Sequence, residues 1–533
     1  MSPGARPVRR RTKLAPVDMG PDTGACHRGG GSEGLGKKRT RKDFLKAMAG
    51  GACLALLGFA GCEPAPRIQA AASPTRPGRT WAFRSRPDLA PPPVEVTTPA
   101  RGAAPGYVFV APKNGPEEGY PAQDGPMILD NEGQPVWLRP VAKEAEDAMD
   151  FRAQSYRGEP VLTWWQGTHG GFGRGEYLIF DDSYSEVTRL RAGNGYEGDH
   201  HEFLITPQDT ALVLIYHEVP MDLSAFGGPT DGSVLDGIAQ EIEIETGEVL
   251  FEWHSLDHVG LGESYYEPKP DQKEAYDYFH INSVDVDSDQ NLLISARRTS
   301  TVYKIDRKSG EVVWRLGGKE SDFQMGEGAW FAYQHDARRH PGGLVTVFDN
   351  RGAAMKEQSR GLMLKVDEEA MKATLVREYL GGGDPIADTQ GNAQTLPGGN
   401  VFVGWGSEPF LSEFDGEGNL LFDARFPREV ESYRAYRFPW KGLPRDRPAV
   451  AAAEAGPEGR VTLYVSWNGD TQVATWEVLA GPGPEGLEPV GSVPRKGFET
   501  AISFTTEEPH VAARAKDRSG RVLGTSEAVK RGS

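Results

Sequence analysis

Three stretches of this chain open on a histidine and then run through one pattern of short apolar strand, tight turn and second strand. They are HEFLITPQDTALVLIY from His201, HINSVDVDSDQNLLISAR from His280 and HDARRHPGGLVTVFD from His335. A fourth, QGNAQTLPGGNVFVGWG from Gln390, matches QHDARRHPGGLVTVFD from Gln334 through the shared PGG, with Gly391 where His335 stands. Imidazole can act as nucleophile, proton carrier or metal ligand. A lone strand histidine reads as structural, but three at one repeat position point to a shared centre, because Gly391 shows that the repeat itself needs only a small or apolar residue there. Asn282 lies two residues after His280, on the same strand face. Arg297 and Arg298 follow at the far end of that hairpin, and either register supplies a guanidinium for an anion. His200, His217, His254, His258 and His340 have no positional argument and read as structural.

The elements that must hold these residues are strands. Several units carry a second signature, IETGEVLFEW (244–253), IDRKSGEVVWRLGG (305–318) and, more loosely, FDGEGNLLFDARF (414–426). Self-similarity at roughly 40 to 60 residues in strand-turn language predicts a β-propeller. The fold class expected is therefore all-β, a six-bladed β-propeller over 107–443 with a small C-terminal β-sandwich over 460–533. If the histidine-bearing strand is the innermost, His201, His280 and His335 face one point in the channel mouth. YVFVAP (107–112), PMILDNEGQPVWLRP (126–140) and EPVLTWWQGTHGGFGRGEYLIFDDSY (159–184) supply the earlier blades. The Trp164-Trp165 pair suits either the channel mouth or the core. VDVDSDQN (284–291) lacks the glycine and distal glutamate of a calcium loop, which favours a hairpin turn with solvated carboxylates. RVTLYVSWNG, TQVATWEVLAG and PHVAARAKDRSGRVLGTSE alternate as sandwich strands, after a linker at 444–459.

Composition narrows the partners. Beyond Gly61 there are 47 Lys and Arg against 72 Asp and Glu, an acidic balance that argues against nucleic acid. The N-terminal end is basic and resembles an export signal. KKRTRKDFLK (37–46) precedes the apolar run AMAGGACLALLGFAGC (47–62), which is too short to span a bilayer. Thr40-Arg41-Lys42-Asp43-Phe44-Leu45-Lys46 resembles a twin-arginine motif with Lys42 in place of the second arginine. Phe59-Ala60-Gly61-Cys62 resembles a lipobox, in which Cys62 is acylated. The chain is thus expected to be exported, extracytoplasmic and lipid-anchored to a membrane at Cys62. Residues 1–36 read as a leader or an early start codon, and the Pro- and Arg-rich stretch 63–106 as an extended tether, with PPVEVTT a strand within it. The only cysteines are Cys26, Cys53 and Cys62, so the exported body has no thiol for catalysis or metal binding.

The runs DHHEF, DYFHINSVDVDSDQNLLISARRTSTVYKID, WRLGG, QHDARR, GNAQTLPGGNVFVGWG, AYRFPW and YVSWNG resemble the bacterial arylsulfotransferase family of six-bladed propellers, over about residues 80–525. The resemblance implies transfer of a sulfuryl group from an aryl sulfate ester to a phenolic acceptor, without the nucleotide donor PAPS, by a ping-pong route through a sulfohistidine. On the matching motifs, His335 in QHDA is the sulfurylated histidine, His201, His280 and Asn282 accompany it, and Arg297 is the arginine. No cofactor and no metal are implied. The chain departs from the periplasmic members in lacking cysteines for a disulfide, and is similar to a shorter, lipoprotein-like branch.

The residues alone leave two rivals open. A non-catalytic propeller could bind an anionic ligand in the His/Arg ring, and three converging histidines could hold a divalent ion as a metallohydrolase.

Overall fold

Strands bounded by Gly, Asp and Asn turns make up nearly all the regular structure, as the alternating apolar runs require. The computed structural model describes residues 68–72, 79–114, 120–141, 147–170, 172–351, 355–454 and 459–532. The basic leader, the apolar run and Cys62 lie outside the described residues.

Among the described residues, six sheets occupy 107–438, antiparallel except that Gln324–Met325 adds a parallel outer strand to the fourth. Five begin on a strand followed in order by three more: β1 (Asp147–Tyr156), β2 (Asp199–Ile205), β3 (Ile281–Val286), β4 (His335–His340) and β5 (Asn392–Thr395). The sixth joins the two ends of the region. Its first strand, β6 (Val430–Phe438), pairs with Tyr107–Asn114 in a register running from Val430 opposite Asn114 to Phe438 opposite Tyr107. Each first strand touches the next, β1 to β2 and onward to β6, and β6 touches β1. The first strands thus form a closed cycle, and the last join is made by hydrogen bonds between distant segments.

Five of these strands carry a register break near their start: at Met149/Arg152, Asp199/Phe203, Ile281/Ser283, His335/Arg338 and Ser432/Ala435. Left-handed backbone accompanies three of them, at Asp150 (φ 56), His280 (φ 55) and Asp336 (φ 56), and Gln390 (φ 68) adopts it just before β5. A bulge bends its strand and re-aims the side chains beside it. At the fourth repeat the same level carries Gly391 (φ 98), where an added Cβ would come within 2.5 Å of the Phe348 ring.

Apolar faces of neighbouring sheets interleave. Trp165, Tyr177, Phe203, Val213 and Ile242 form one such core, and Trp164 joins Phe109, Phe151 and Phe180 in another. Both tryptophans are fully buried, so the WW pair is core; truncating a residue of this kind typically costs ~3–5 kcal/mol. The cycle's interior carries charge instead. Arg152 pairs with Asp150 at 2.8 Å and with Glu202, Arg434 with Asp150 at 3.0 Å and Glu202 at 3.3 Å, and Arg338 with Glu202 at 2.5 Å and Asp336 at 2.7 Å. All six groups are buried or nearly so, and their charges balance.

Two expectations need correction. The stretch expected as a tether is packed into the body wherever it is described: Gln69–Ala72 pairs with Glu499–Thr505, Trp81, Phe83 and Leu89 join a core with Phe426 and Phe498, and Glu95–Thr98 adds an outer strand to the fifth sheet. Average composition masked these apolar residues, which favour burial despite the prolines around them. The linker at 444–459 is shorter than expected, because Ala449–Glu454 is a strand paired with Arg460–Ser466. That pair, with Glu499–Thr505 and Gln69–Ala72, makes one sheet; Glu488–Pro494, Thr475–Gly481, His510–Lys516 and Val522–Thr525 make another, and Leu463, Trp467, Trp476, Val478 and Ile502 share a core between them. The turn in VDVDSDQN is present, with Asp287 N–H donating to Asn291 O at 2.8 Å. Its Asp287 carboxylate, expected to be solvated, is instead buried against Lys304 and Arg339, each at 2.9 Å.

Candidate active site

Adjacent first strands bring the three repeat histidines together. His201 lies in β2, His280 immediately precedes β3 and His335 begins β4. Ring centroids lie 5.1 Å apart for His201 and His280 and 6.4 Å apart for His280 and His335. All three line one cavity of about 440 Å³ with Arg297, Arg298, Tyr216, Tyr266 and Tyr433.

Each ring has its Nδ1 committed to a partner at its back. His201 Nδ1 meets Asp199 Oδ1 at 2.5 Å, and His280 Nδ1 meets Asp277 Oδ2 at 2.5 Å. His335 Nδ1 meets an amide instead, Asn350 Oδ1 at 2.7 Å. Asp199 also accepts the backbone N–H groups of His201 (2.9 Å) and Gly173 (2.5 Å). Burial opposes its ionisation, but the imidazoles of His201 and His200 hold its carboxyl well below the usual range. Asp277 behaves alike: burial would raise it, while His280 and Arg298 hold it at about 2. Burial pushes His280 down to about 4 against the pull of Asp277. Burial and the nearby Arg297 charge push His335 well below the ordinary imidazole value, so the ring is neutral at neutral pH.

The two arginines separate clearly. Arg298 Nε reaches Asp277 Oδ2 at 3.4 Å, and its guanidinium stacks 3.7 Å from the Tyr266 ring centre. Arg297 donates to the Asp388 carbonyl at 2.9 Å, faces Tyr333, and keeps a buried Nε without a hydrogen-bond partner. Arg297 is therefore the guanidinium with capacity left for an oxyanion. Asn282 is close by, yet its side-chain amide donates to the Gln334 carbonyl at 2.7 Å and it is not among the cavity-lining residues. It ties β3 to the residue before His335.

Aromatic faces supply the walls. Phe172 stacks on Tyr216 with centroids 5.8 Å apart and planes 13° apart, and Tyr433 stands edge-on to His201 at 5.6 Å. Such faces favour an aryl ring. Lys113, paired with Glu431, and Gln390, which donates to Glu431 at 3.0 Å, complete the far side. A second pocket of about 540 Å³ lies over the first sheet, but its Arg174, Arg189 and Arg191 are paired with Glu197 and Glu176 and no histidine lines it.

Sequence reasoning missed Asp199, Asp277 and Asn350. The two aspartates had a local signal, in GDHHEF and DYFH, because each lies two or three residues before its histidine. Asn350, fifteen residues beyond His335, closes the second strand of the repeat and had none. His201, His280 and His335 also offer nitrogens all within 4.8 Å of one another, spacing that could admit a metal ion. The adjacent Arg297 charge disfavours a cation there and favours an anion.

A family model described as arylsulfotransferase (ASST) matches residues 152–427, more than half of the chain. The chain belongs to the arylsulfotransferase family. Its matched span runs from β1 to the end of the fifth sheet and includes every residue predicted for the site. Family membership gives a sulfotransferase role in general, with aryl sulfates and phenols as the substrates it implies. No curated protein matches the chain. Among solved structures, a protein of unknown function from Bacteroides caccae is similar at 14% identity and TM-score 0.38, covering 62% of this chain and 98% of that one. A catalytically inactive virginiamycin B lyase from Staphylococcus aureus, solved with quinupristin, is similar at 8% identity and TM-score 0.33, covering 78% and 99%.

Proposed function

We propose that this protein moves a sulfuryl group from an aryl sulfate to a phenol by a ping-pong mechanism with His335 as the carrier, and that the ester itself is the donor, so that PAPS is not used. The observation that carries this reading is the neutral His335 ring beside Arg297, its Nδ1 committed to Asn350. In the first half-reaction Nε2 attacks sulfur, the N–S bond forms as the S–O bond to the aryl group breaks, and the electron pair leaves on the aryl oxygen. That oxygen leaves as a phenolate and takes its proton from solvent. The acceptor phenol gives a proton to the neutral His280 ring as its oxygen takes the sulfuryl group, and the ring then releases that proton to solvent. Arg297 meets the charge that spreads over the peripheral oxygens; a donor of this kind typically contributes ~2.7–4 kcal/mol.

The six sheets are, in this reading, the blades of a six-bladed propeller over 107–443, and the two C-terminal sheets a small sandwich. The body is exported and held to a membrane by a lipid on Cys62; Cys62→Ser should release it into the soluble fraction, and retention with an uncleaved leader would overturn the anchor.

Incubation with an aryl sulfate and no acceptor should add one SO3 to the peptide carrying His335, and a phenol should discharge it. His335→Ala should abolish the label in a folded protein. Wild-type transfer by His335→Ala would reject the assignment, and a wild type that no aryl sulfate labels would favour an anion-binding propeller. Stoichiometric divalent metal in the purified protein, with activity lost on chelation, would favour the metallohydrolase.

A further inference from the structure

We propose that Asn350 is a positioning residue that makes His335, rather than His201 or His280, the sulfuryl carrier, by locking its ring in the Nδ1–H tautomer with Nε2 unprotonated toward the cavity. The proposal rests on the sulfuryl-transfer reading and assigns a part within it.

The direction of the Asn350 amide follows from its own contacts. Its Nδ2 donates at 3.0 Å to two backbone carbonyls, those of Ala387 and Gln390. Carbonyl oxygens only accept, so the NH2 group must face them and Oδ1 must face His335. An oxygen at 2.7 Å from Nδ1 requires a hydrogen on Nδ1. The opposite side of the ring agrees. The backbone N–H of Gln390 donates to Nε2 at 3.3 Å, which requires a lone pair there. Two independent contacts thus select one tautomer. The Gln390 contact is at the long end for a hydrogen bond, and it is given up as the N–S bond forms.

The contrast with the neighbouring rings gives the lock its meaning. Asp199 and Asp277 are anions, and an anion behind an imidazole stabilises its protonated form. A protonated ring has no lone pair with which to attack. Asn350 offers the same geometry without charge, so no anion behind His335 draws a second proton to the ring, and Nε2 keeps its lone pair. Asn350 is wholly buried and Ser359, which donates to its backbone carbonyl at 2.6 Å, helps hold the strand end in place.

The test uses the full chain with 15N-labelled histidine. Two-bond 1H–15N correlations, with His335 assigned by its absence in His335→Gln, should give the Nδ1–H pattern for His335 in the wild type and a tautomer mixture in Asn350→Ala. Labelling of Asn350→Ala by 4-nitrophenyl sulfate should slow about 10²- to 10⁴-fold, the scale of losing a tautomer-fixing partner, while affinity for benzenesulfonate, whose C–S bond cannot transfer, changes less than about threefold. An Nε2–H pattern in the wild type overturns the proposal without any variant. Wild-type labelling rates in Asn350→Ala, or an equal loss of benzenesulfonate affinity, also overturn it while leaving sulfuryl transfer standing. A wild type with the Nδ1–H pattern that is never labelled removes the transfer reading itself, and with it the role of carrier.

Discussion

Arg297 and Arg298 adjoin in the chain and face one cavity, yet their charges do different work. Arg298 is balanced by Asp277 and stacked on Tyr266, whereas Arg297 donates to a carbonyl, faces Tyr333 and keeps its Nε free of hydrogen-bond partners among the described residues. Arg297→Ala is therefore expected to slow labelling of His335 by about 10²- to 10³-fold, as loss of a transition-state donor does. Arg297→Lys should rescue little, because a single ammonium cannot reproduce the planar fork. Arg298→Ala should cost less in rate. Rapid-quench labelling across the three variants checks the order, and an Arg298→Ala defect exceeding that of Arg297→Ala would reverse the assignment.

The first strands position these residues through their bulges and through the charges beneath. Arg434 is fully buried, contacts Asp150 and Glu202, and donates to the Asn282 carbonyl at 3.0 Å. It thus links β6, β1, β2 and β3. Arg434→Met leaves the buried acids one positive charge short, with Asp150 and Glu202 held only by Arg152 and Arg338, and breaking a buried pair typically costs ~3–5 kcal/mol. The denaturation midpoint in urea should fall accordingly, and an unchanged midpoint would show that the acids find other partners. Gly391 belongs to the same scale. With φ 98 and Phe348 at 2.5 Å from any Cβ, Gly391→Ala should both destabilise the protein and displace Gln390, whose N–H faces His335. The PGG repeat in the sequence made Gly391 visible; the Phe348 ring that requires it comes from the preceding sheet.

Across the whole molecule, the buried imidazoles couple stability to pH. Burial pushes His200 down to about 3 and His280 to about 4, from an ordinary 6.5. As pH falls below ~6.5 the unfolded chain binds these protons and the folded one does not, so stability declines by about 1.4 kcal/mol per pH unit for each group until its folded value is reached. Asp199 and Asp277, held low, add their loss only below about 4. The thermal midpoint should thus fall steadily from pH 7 to pH 5, and His200→Gln should flatten the slope. A level profile over that range would show that the rings are protonated in the folded protein.

The all-β class, the repeat and the meeting of His201, His280 and His335 were legible from the chain alone, because strand alternation and repeat position are local patterns and a cyclic repeat carries one position to one level. What stands behind each histidine was decided by the tertiary structure. Asn350 reaches His335 only because two strands pair, and Tyr433 meets His201 from 232 residues away. The same holds for the join of Tyr107–Asn114 to Val430–Phe438 and for the burial of Trp81 and Phe83. A hydrogen-bond partner or a core neighbour is a matter of distance in space, which the local pattern of residue types does not encode.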